Sequence, residues 1–172
     1  GTSYTFAIRC TNGLGLTKTA SGAKSTATIA APTIAQASQS PSSGTYAQSR
    51  VIKITYTATN IQTPEYYFKS SVAATVASGV VTHACGTSTN PGTCSASSVT
   101  TLAANTWYKT SSTTPSITYK ANGYLYAQTW DPADNTAAAS TFTIANVDTV
   151  APTVNVAVSE TTATITLSDN MQ

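Results

Sequence analysis

The two ends of this 172-residue chain carry the same layout. Near the start, Gly1-Thr2-Ser3-Tyr4-Thr5-Phe6-Ala7-Ile8-Arg9-Cys10 leads through a Gly/Asn/Thr turn to Ser25-Thr26-Ala27-Thr28-Ile29, then to Ala31-Pro32-Thr33-Ile34. Near the end, Gly123-Tyr124-Leu125-Tyr126-Ala127-Gln128-Thr129-Trp130-Asp131 leads through a turn to Ser140-Thr141-Phe142-Thr143-Ile144, then to Ala151-Pro152-Thr153-Val154. The two Ala-Pro-Thr marks lie 120 residues apart, a period that suits one sandwich domain with its linker. The repeat divides the chain into the closing hairpin of one module (residues 1–29), one complete module (31–147) and the first strands of the next (148–172). A tandem array of this kind argues for reach and spacing before it argues for chemistry.

Short, evenly punctuated strands fill the central stretch. Ile52, Ile54, Tyr56 and Ala58 alternate with Lys53, Thr55 and Thr57, the period of a half-buried strand. Thr33 to Ala37 precedes it as a first strand, and Ser40 to Tyr46 reads as a turn. Glu65 to Lys69 follows Pro64 as a third strand. Weaker strands are expected at Ala73 to Val81 and Ser98 to Leu102, and further ones at Thr106 to Tyr108, Ser116 to Tyr119, Tyr124 to Trp130 and Thr141 to Ala145. Strand-favouring Thr, Val, Ile and Tyr are common and good helix formers scarce. The expected fold is all-β, an antiparallel sandwich with almost no helix.

Charged residues make up 8% of the chain and hydrophobic ones 41%, so a core is affordable and polarity must come from elsewhere. It comes from Ser and Thr, roughly one residue in three, a bias that points to an extracellular surface. A net charge of +2 without a basic cluster gives no footprint for nucleic acid or for an anionic membrane. No stretch reaches the length of apolar sequence that spans a bilayer. Gly1 opens directly into an alternating strand, so any signal or anchor is expected outside this sequence.

Cys85 and Cys94 bracket the turn-rich stretch from Gly86 to Thr93. A disulfide is expected there, because closing so short a loop is stabilising and the composition fits an oxidising compartment. Cys10 is left over, and its partner is expected beyond residues 1–172. His83-Ala84-Cys85 with Cys94 lacks the ligand number and spacing of a zinc site.

Some of these residues resemble known families. Ser40-Pro41-Ser42-Ser43-Gly44-Thr45-Tyr46, the alternating Val51 to Tyr56, and Glu65-Tyr66-Tyr67-Phe68 resemble the opening of the Ig-like modules named after the C-terminal domain of chitobiase. Asn122-Gly123 through Asp131-Pro132-Ala133-Asp134-Asn135 to Val147-Asp148-Thr149-Val150-Ala151-Pro152-Thr153 resembles the bacterial Ig-like repeats of large surface proteins. In those repeats an Asp-x-Ala-Gly-Asn turn is usual, and here Asp134 stands where Gly is expected. The resemblance implies an Ig-like fold in tandem, at the cell surface or outside the cell, whose partners are neighbouring modules of the same chain or filament.

Candidate sites are few. His83 is the sole histidine and has no acid near it in sequence, and no strand face pairs two carboxylates, so no catalytic residue is assigned and no enzymatic activity is expected. Asn12-Gly13-Leu14-Gly15 is hairpin chemistry. No cofactor is required. Asp131, Asp134, Asn135 and Asp148 offer hard oxygen donors in a turn and a linker, a set suited to calcium where two modules meet, although Asp and Asn are also ordinary turn residues. Lys53, Asn146 and Glu65 are the residue types of an intramolecular isopeptide bond, but Lys53 alternates outward and reads as a solvated lysine. Tyr124, Tyr126 and Trp130 face either the core or the solvent, depending on a one-residue choice of register. Outward, they form a platform for glycans, and the chain then reads alternatively as a carbohydrate-binding accessory module of a secreted hydrolase. The main expectation is a structural and adhesive repeat of a surface protein or filament.

Overall fold

In the computed structural model, residues 3–25, 31–59, 64–89, 91–131 and 136–169 are described. They form strands in this order: β1 (Ser3–Thr11), β2 (Thr17–Ser25), β3 (Thr33–Ser40), β4 (Arg50–Thr57), β5 (Glu65–Ser70), β6 (Ala74–Val76), β7 (Thr82–Gly86), β8 (Thr101–Leu102), β9 (Trp107–Thr110), β10 (Ser116–Tyr119), β11 (Gly123–Asp131), β12 (Thr136–Ile144), β13 (Thr153–Ser159) and β14 (Thr162–Ser168). No helix occurs among the described residues.

Two five-stranded antiparallel sheets lie between Thr33 and Ile144, in the orders β3-β4-β10-β6-β8 and β12-β11-β5-β9-β7. Their inner faces share one core. Ile52, Ile54 and Tyr56 of β4, Ile117 and Tyr119 of β10, Val76 and Leu102 come from the first sheet; Phe68, Tyr108, Leu125, Ala127 and Ile144 come from the second. Alternation explains which residues these are: along β4 every second side chain is buried, as period 2 requires. The Tyr56 hydroxyl crosses the gap to donate to the Tyr67 carbonyl at 2.7 Å, so its polar end is satisfied inside the core. At one side of the sandwich Ser140 Oγ on β12 donates to the Ile34 carbonyl on β3, linking the two sheets.

Local backbone geometry corrects the strand limits read from the alternation. β3 runs on to Ser40 through a bulge between Gln36 and Ser38. The stretch expected as one strand from Ala73 to Val81 is only Ala74–Val76, because a turn follows in which Gly79 adopts a φ of +85°, a conformation natural to glycine. The strand that pairs β9 is instead Thr82–Gly86, a short segment in which Thr82 and Cys85 are buried and Ala84 half-buried, with no readable apolar run.

Asn146 is the pivot of the exit from the sandwich, with a φ of +59°. Its carbonyl accepts from Ala47 N–H at 3.1 Å, Asp148 N–H donates to Ala47 at 2.9 Å, and Val147 N–H donates to Asn122 Oδ1 at 2.8 Å. The chain therefore leaves the second sheet already stitched to the loop before β4.

The two flanking hairpins differ from the sandwich in exposure. β1 and β2 pair over nine residues each, as β11 and β12 do, and β1 begins 28 residues before Ala31 just as β11 begins 28 residues before Ala151. The side-chain faces are one residue out of step: Phe6 and Ile8 correspond by the 120-residue offset to Tyr126 and Gln128, which point outward, whereas Thr5 and Ala7 correspond to the buried Leu125 and Ala127. β13 and β14 form a hairpin whose described side chains are all exposed.

Candidate functional site

The outer face of the second sheet gathers the chain's most chemically distinctive side chains. Because Leu125, Ala127 and Thr129 are buried, period 2 turns Tyr124, Tyr126, Gln128 and Trp130 of β11 outward. The same rule turns Glu65, Tyr67 and Lys69 of β5, Trp107 and Lys109 of β9, and His83 of β7 to that face. Register then sets the neighbours: Tyr126 lies opposite Lys69, which lies opposite Trp107; Trp130 lies opposite Glu65; Tyr67 lies opposite Lys109, which lies opposite His83.

Half of this face is closed over. A bulge between Ala84 and Gly86, with Gly86 at a φ of +87°, brings Cys85 against Tyr67 and Trp107. Cys85 is bonded to Cys94, and Cys94 and Tyr126 complete a small apolar cluster. The disulfide loop thus covers Tyr67 and Trp107. Lys69 Nζ sits 4.9 Å from the Trp107 ring and 5.2 Å from that of Tyr126, so the ammonium is held by two aromatic faces. Trp107 Nε1 and His83 Nδ1 are buried without a hydrogen-bond partner.

The other half is open and polar. Glu65 accepts from Lys109 Nζ and, at 2.6 Å, from the Tyr67 hydroxyl. Burial pushes the Tyr67 phenol above its ordinary range, and the Glu65 carboxylate beside it adds to the shift by accepting its proton and by repelling a phenolate. Beside this trio lies a depression of about 480 Å³ lined by Pro64, Glu65, Tyr66, His83, Lys109, Thr110 and Ser111. Trp130 and Tyr124 remain 36% and 49% exposed on the same sheet face. The carboxylate, ammonium and imidazole of this depression come from three strands far apart in sequence. Sequence order concealed the acid near His83; the pairing of β5, β9 and β7 supplies it.

The other candidate residues are not brought to one point within the module. Asp131 ends β11, eight residues of extended strand from Gly123, roughly 26 Å away. Asp148 follows Val147, which bonds to Asn122 at the opposite end of that strand. Asp148 Oδ1 accepts from Val150 N–H at 2.9 Å in a local turn. Asp134 and Asn135 lie outside the described residues. Among the described residues no group of three or more metal-ligating side chains assembles. Lys53 and Glu65 sit on opposite outer faces of the sandwich, since β4 and β5 belong to different sheets, and Asn146 Nδ2 donates to the Ser43 carbonyl; the isopeptide set is therefore not assembled. Cys10 is an exposed free thiol. No helix among the described residues is long and apolar enough to cross a membrane.

Comparison of the chain with protein-family models, with curated proteins and with solved structures finds no match.

Proposed function

We propose that this chain is a segment of a tandem array of Ig-like sandwich modules, a structural and adhesive repeat of a secreted or cell-surface protein that performs no catalysis. One observation carries the reading: the hairpin β13–β14 reproduces the opening of the central sandwich. β13 starts at Thr153 after Ala151-Pro152, as β3 starts at Thr33 after Ala31-Pro32. Val154 pairs with Leu167 as Ile34 pairs with Tyr56, and Ile165 and Ala163 then fall where β4 carries Ile54 and Ile52. In the central sandwich those positions of β4 are buried; in the last hairpin Val154, Ile165 and Leu167 are exposed. A face patterned for a core yet uncovered is what the first two strands of a further module look like.

Two further features support the reading. The Cys85–Cys94 bond suits an oxidising exterior. The anchoring of Asn146, Val147 and Asp148 to the sandwich leaves few linker residues able to swing, which favours a fixed angle between modules over a flexible joint. Calcium at a junction would then be shared between modules, the linker Asp148 of one meeting the Asp131 end of the next. The position corresponding to Asp148 in the preceding unit is Thr28, so junctions of one array would differ in this respect.

A protein of three copies of residues 31–150 joined head to tail tests the proposal by small-angle scattering. The expected envelope is a rod that lengthens by on the order of 40 Å per module, straighter with calcium than with chelator if Asp131 and Asp148 share an ion. A compact, freely jointed ensemble under both conditions would overturn the spacer role; identical rods would remove only the metal.

A further inference from the structure

We propose that the open depression beside Trp130 is a binding site for a neutral saccharide, a property independent of whether the modules are arrayed. Trp130 is the register partner of Glu65 on the adjacent strand, and partners on one sheet face have side chains about 5 Å apart. An exposed indole therefore neighbours Glu65, which lines a depression together with Lys109, His83 and Ser111 on the far side of β5. Its volume of about 480 Å³ falls within the range of small-ligand sites, which pair an apolar surface with a few convergent polar groups. A pyranose ring matches this pairing. One face of the sugar is a row of C–H groups that packs on an indole, while its rim of hydroxyls needs both donors and acceptors.

Charge selects among sugars. The Lys109 ammonium is matched by the Glu65 carboxylate, so a uronic or sialic acid would meet no unpaired lysine in the wall. The Glu65 carboxylate is fixed from behind by Tyr67 and Lys109, which removes the entropic cost of ordering an acceptor when the ligand arrives. Lys69, by contrast, is already enclosed by Trp107 and Tyr126, and the covered half of the face takes no ligand.

The test uses the full chain with cellotetraose, xylotetraose, mannotetraose and chitotetraose as neutral probes and tetragalacturonate as the acidic comparator, read by 1H–15N correlation NMR of the labelled protein and by calorimetry. At least one neutral probe is expected to bind, with amide shifts clustered at Glu65, His83, Lys109 and Ser111. Trp130→Ala is expected to weaken that binding at least about tenfold, Glu65→Gln to weaken it measurably, and Tyr124→Ala, at the far end of β11, to leave it unchanged. Trp130 lies outside the core, so its variant should melt with the parent; the shift map on the unaltered chain decides the matter if it does not. Absence of binding by every neutral probe, preference for the acidic one, shifts elsewhere, or full affinity in Trp130→Ala would each overturn the proposal.

Discussion

Arg50 is fully buried, yet no carboxylate faces it in any of its hydrogen bonds. Its Nη1 donates to the carbonyls of Pro41 and Ser42, and its Nη2 to those of Thr45 and Asn146. One planar fork thus satisfies the loop that leads into β4 and the residue at which the chain leaves the sandwich. Replacing it with methionine strands several buried acceptors, and Arg50→Met is expected to lower stability by about 3–5 kcal/mol in urea unfolding. Arg50→Lys keeps the charge and loses the fork, so it should recover only part of that loss; recovery to the parent midpoint would mean that charge alone matters. A second residue-level expectation concerns Tyr56 and Tyr119. Burial raises both phenols well above their ordinary range; at Tyr56 the neighbouring Tyr119 adds to the shift, while at Tyr119 the Ser70 hydroxyl opposes it. With the folded pKa above the unfolded one, the folded state holds these protons more tightly. The associated stability is then complete below about pH 10 and is lost as pH rises beyond it, at up to ~1.4 kcal/mol per pH unit for each phenol. Urea midpoints followed from neutral pH upward, alongside tyrosinate absorbance, check this: ionisation of all tyrosines without unfolding would contradict it.

At the scale of elements, the disulfide loop is the piece whose removal is most informative. Cys85 and Cys94 are nine residues apart, and closure of so short a loop is worth about 2.5–3 kcal/mol by chain entropy. It also lids Tyr67 and Trp107. The double variant Cys85→Ala, Cys94→Ala is therefore expected to lose about that much stability and to red-shift the Trp107 emission maximum as the ring is uncovered, with Trp130→Phe included to silence the other indole. Unchanged emission would show that the lid is held by packing alone. The pairing of these cysteines was legible because loop length and composition speak about it directly. So were the strands β4 and β10, where alternating Ile and Tyr mark one face, and the existence, though not the facing, of β5 and β11 from their aromatic and apolar content. β7 was not, since Thr82 and Ala84 are small and the strand is recognised only by what it pairs with. The Glu65, Lys109 and His83 depression was hidden for the same reason: each residue is ordinary on its own strand, and their meeting is a property of register across three strands. Register also decided the outward direction of Tyr124, Tyr126 and Trp130, a choice that the burial of Leu125, Ala127 and Thr129 makes and that a one-residue slip would invert.

For the whole molecule, the question is how much of the chain one folding transition involves. The core that joins the two five-stranded sheets draws its side chains from Ile52 to Val147, and its hydrogen-bonded exit ends at Asp148 and Val150. The last hairpin exposes its larger apolar side chains, Val154, Val156, Val158, Ile165 and Leu167, and the first exposes Phe6 and Ile8; uncovered apolar area of this kind contributes nothing to stability at ~25 cal/mol per Å². A fragment of residues 31–150 is therefore expected to melt in a single cooperative transition, within about 3 °C of the main transition of the full chain. It should also bind less of a hydrophobic dye and associate less with rising concentration, since the unpartnered faces have been removed. Heat-capacity scans and sedimentation of the two proteins side by side make the comparison. A broad, weak melt for the fragment would mean that β1–β2 or β13–β14 completes the main core, and the division of the chain at Ala31 and Asp148 would then have to be redrawn.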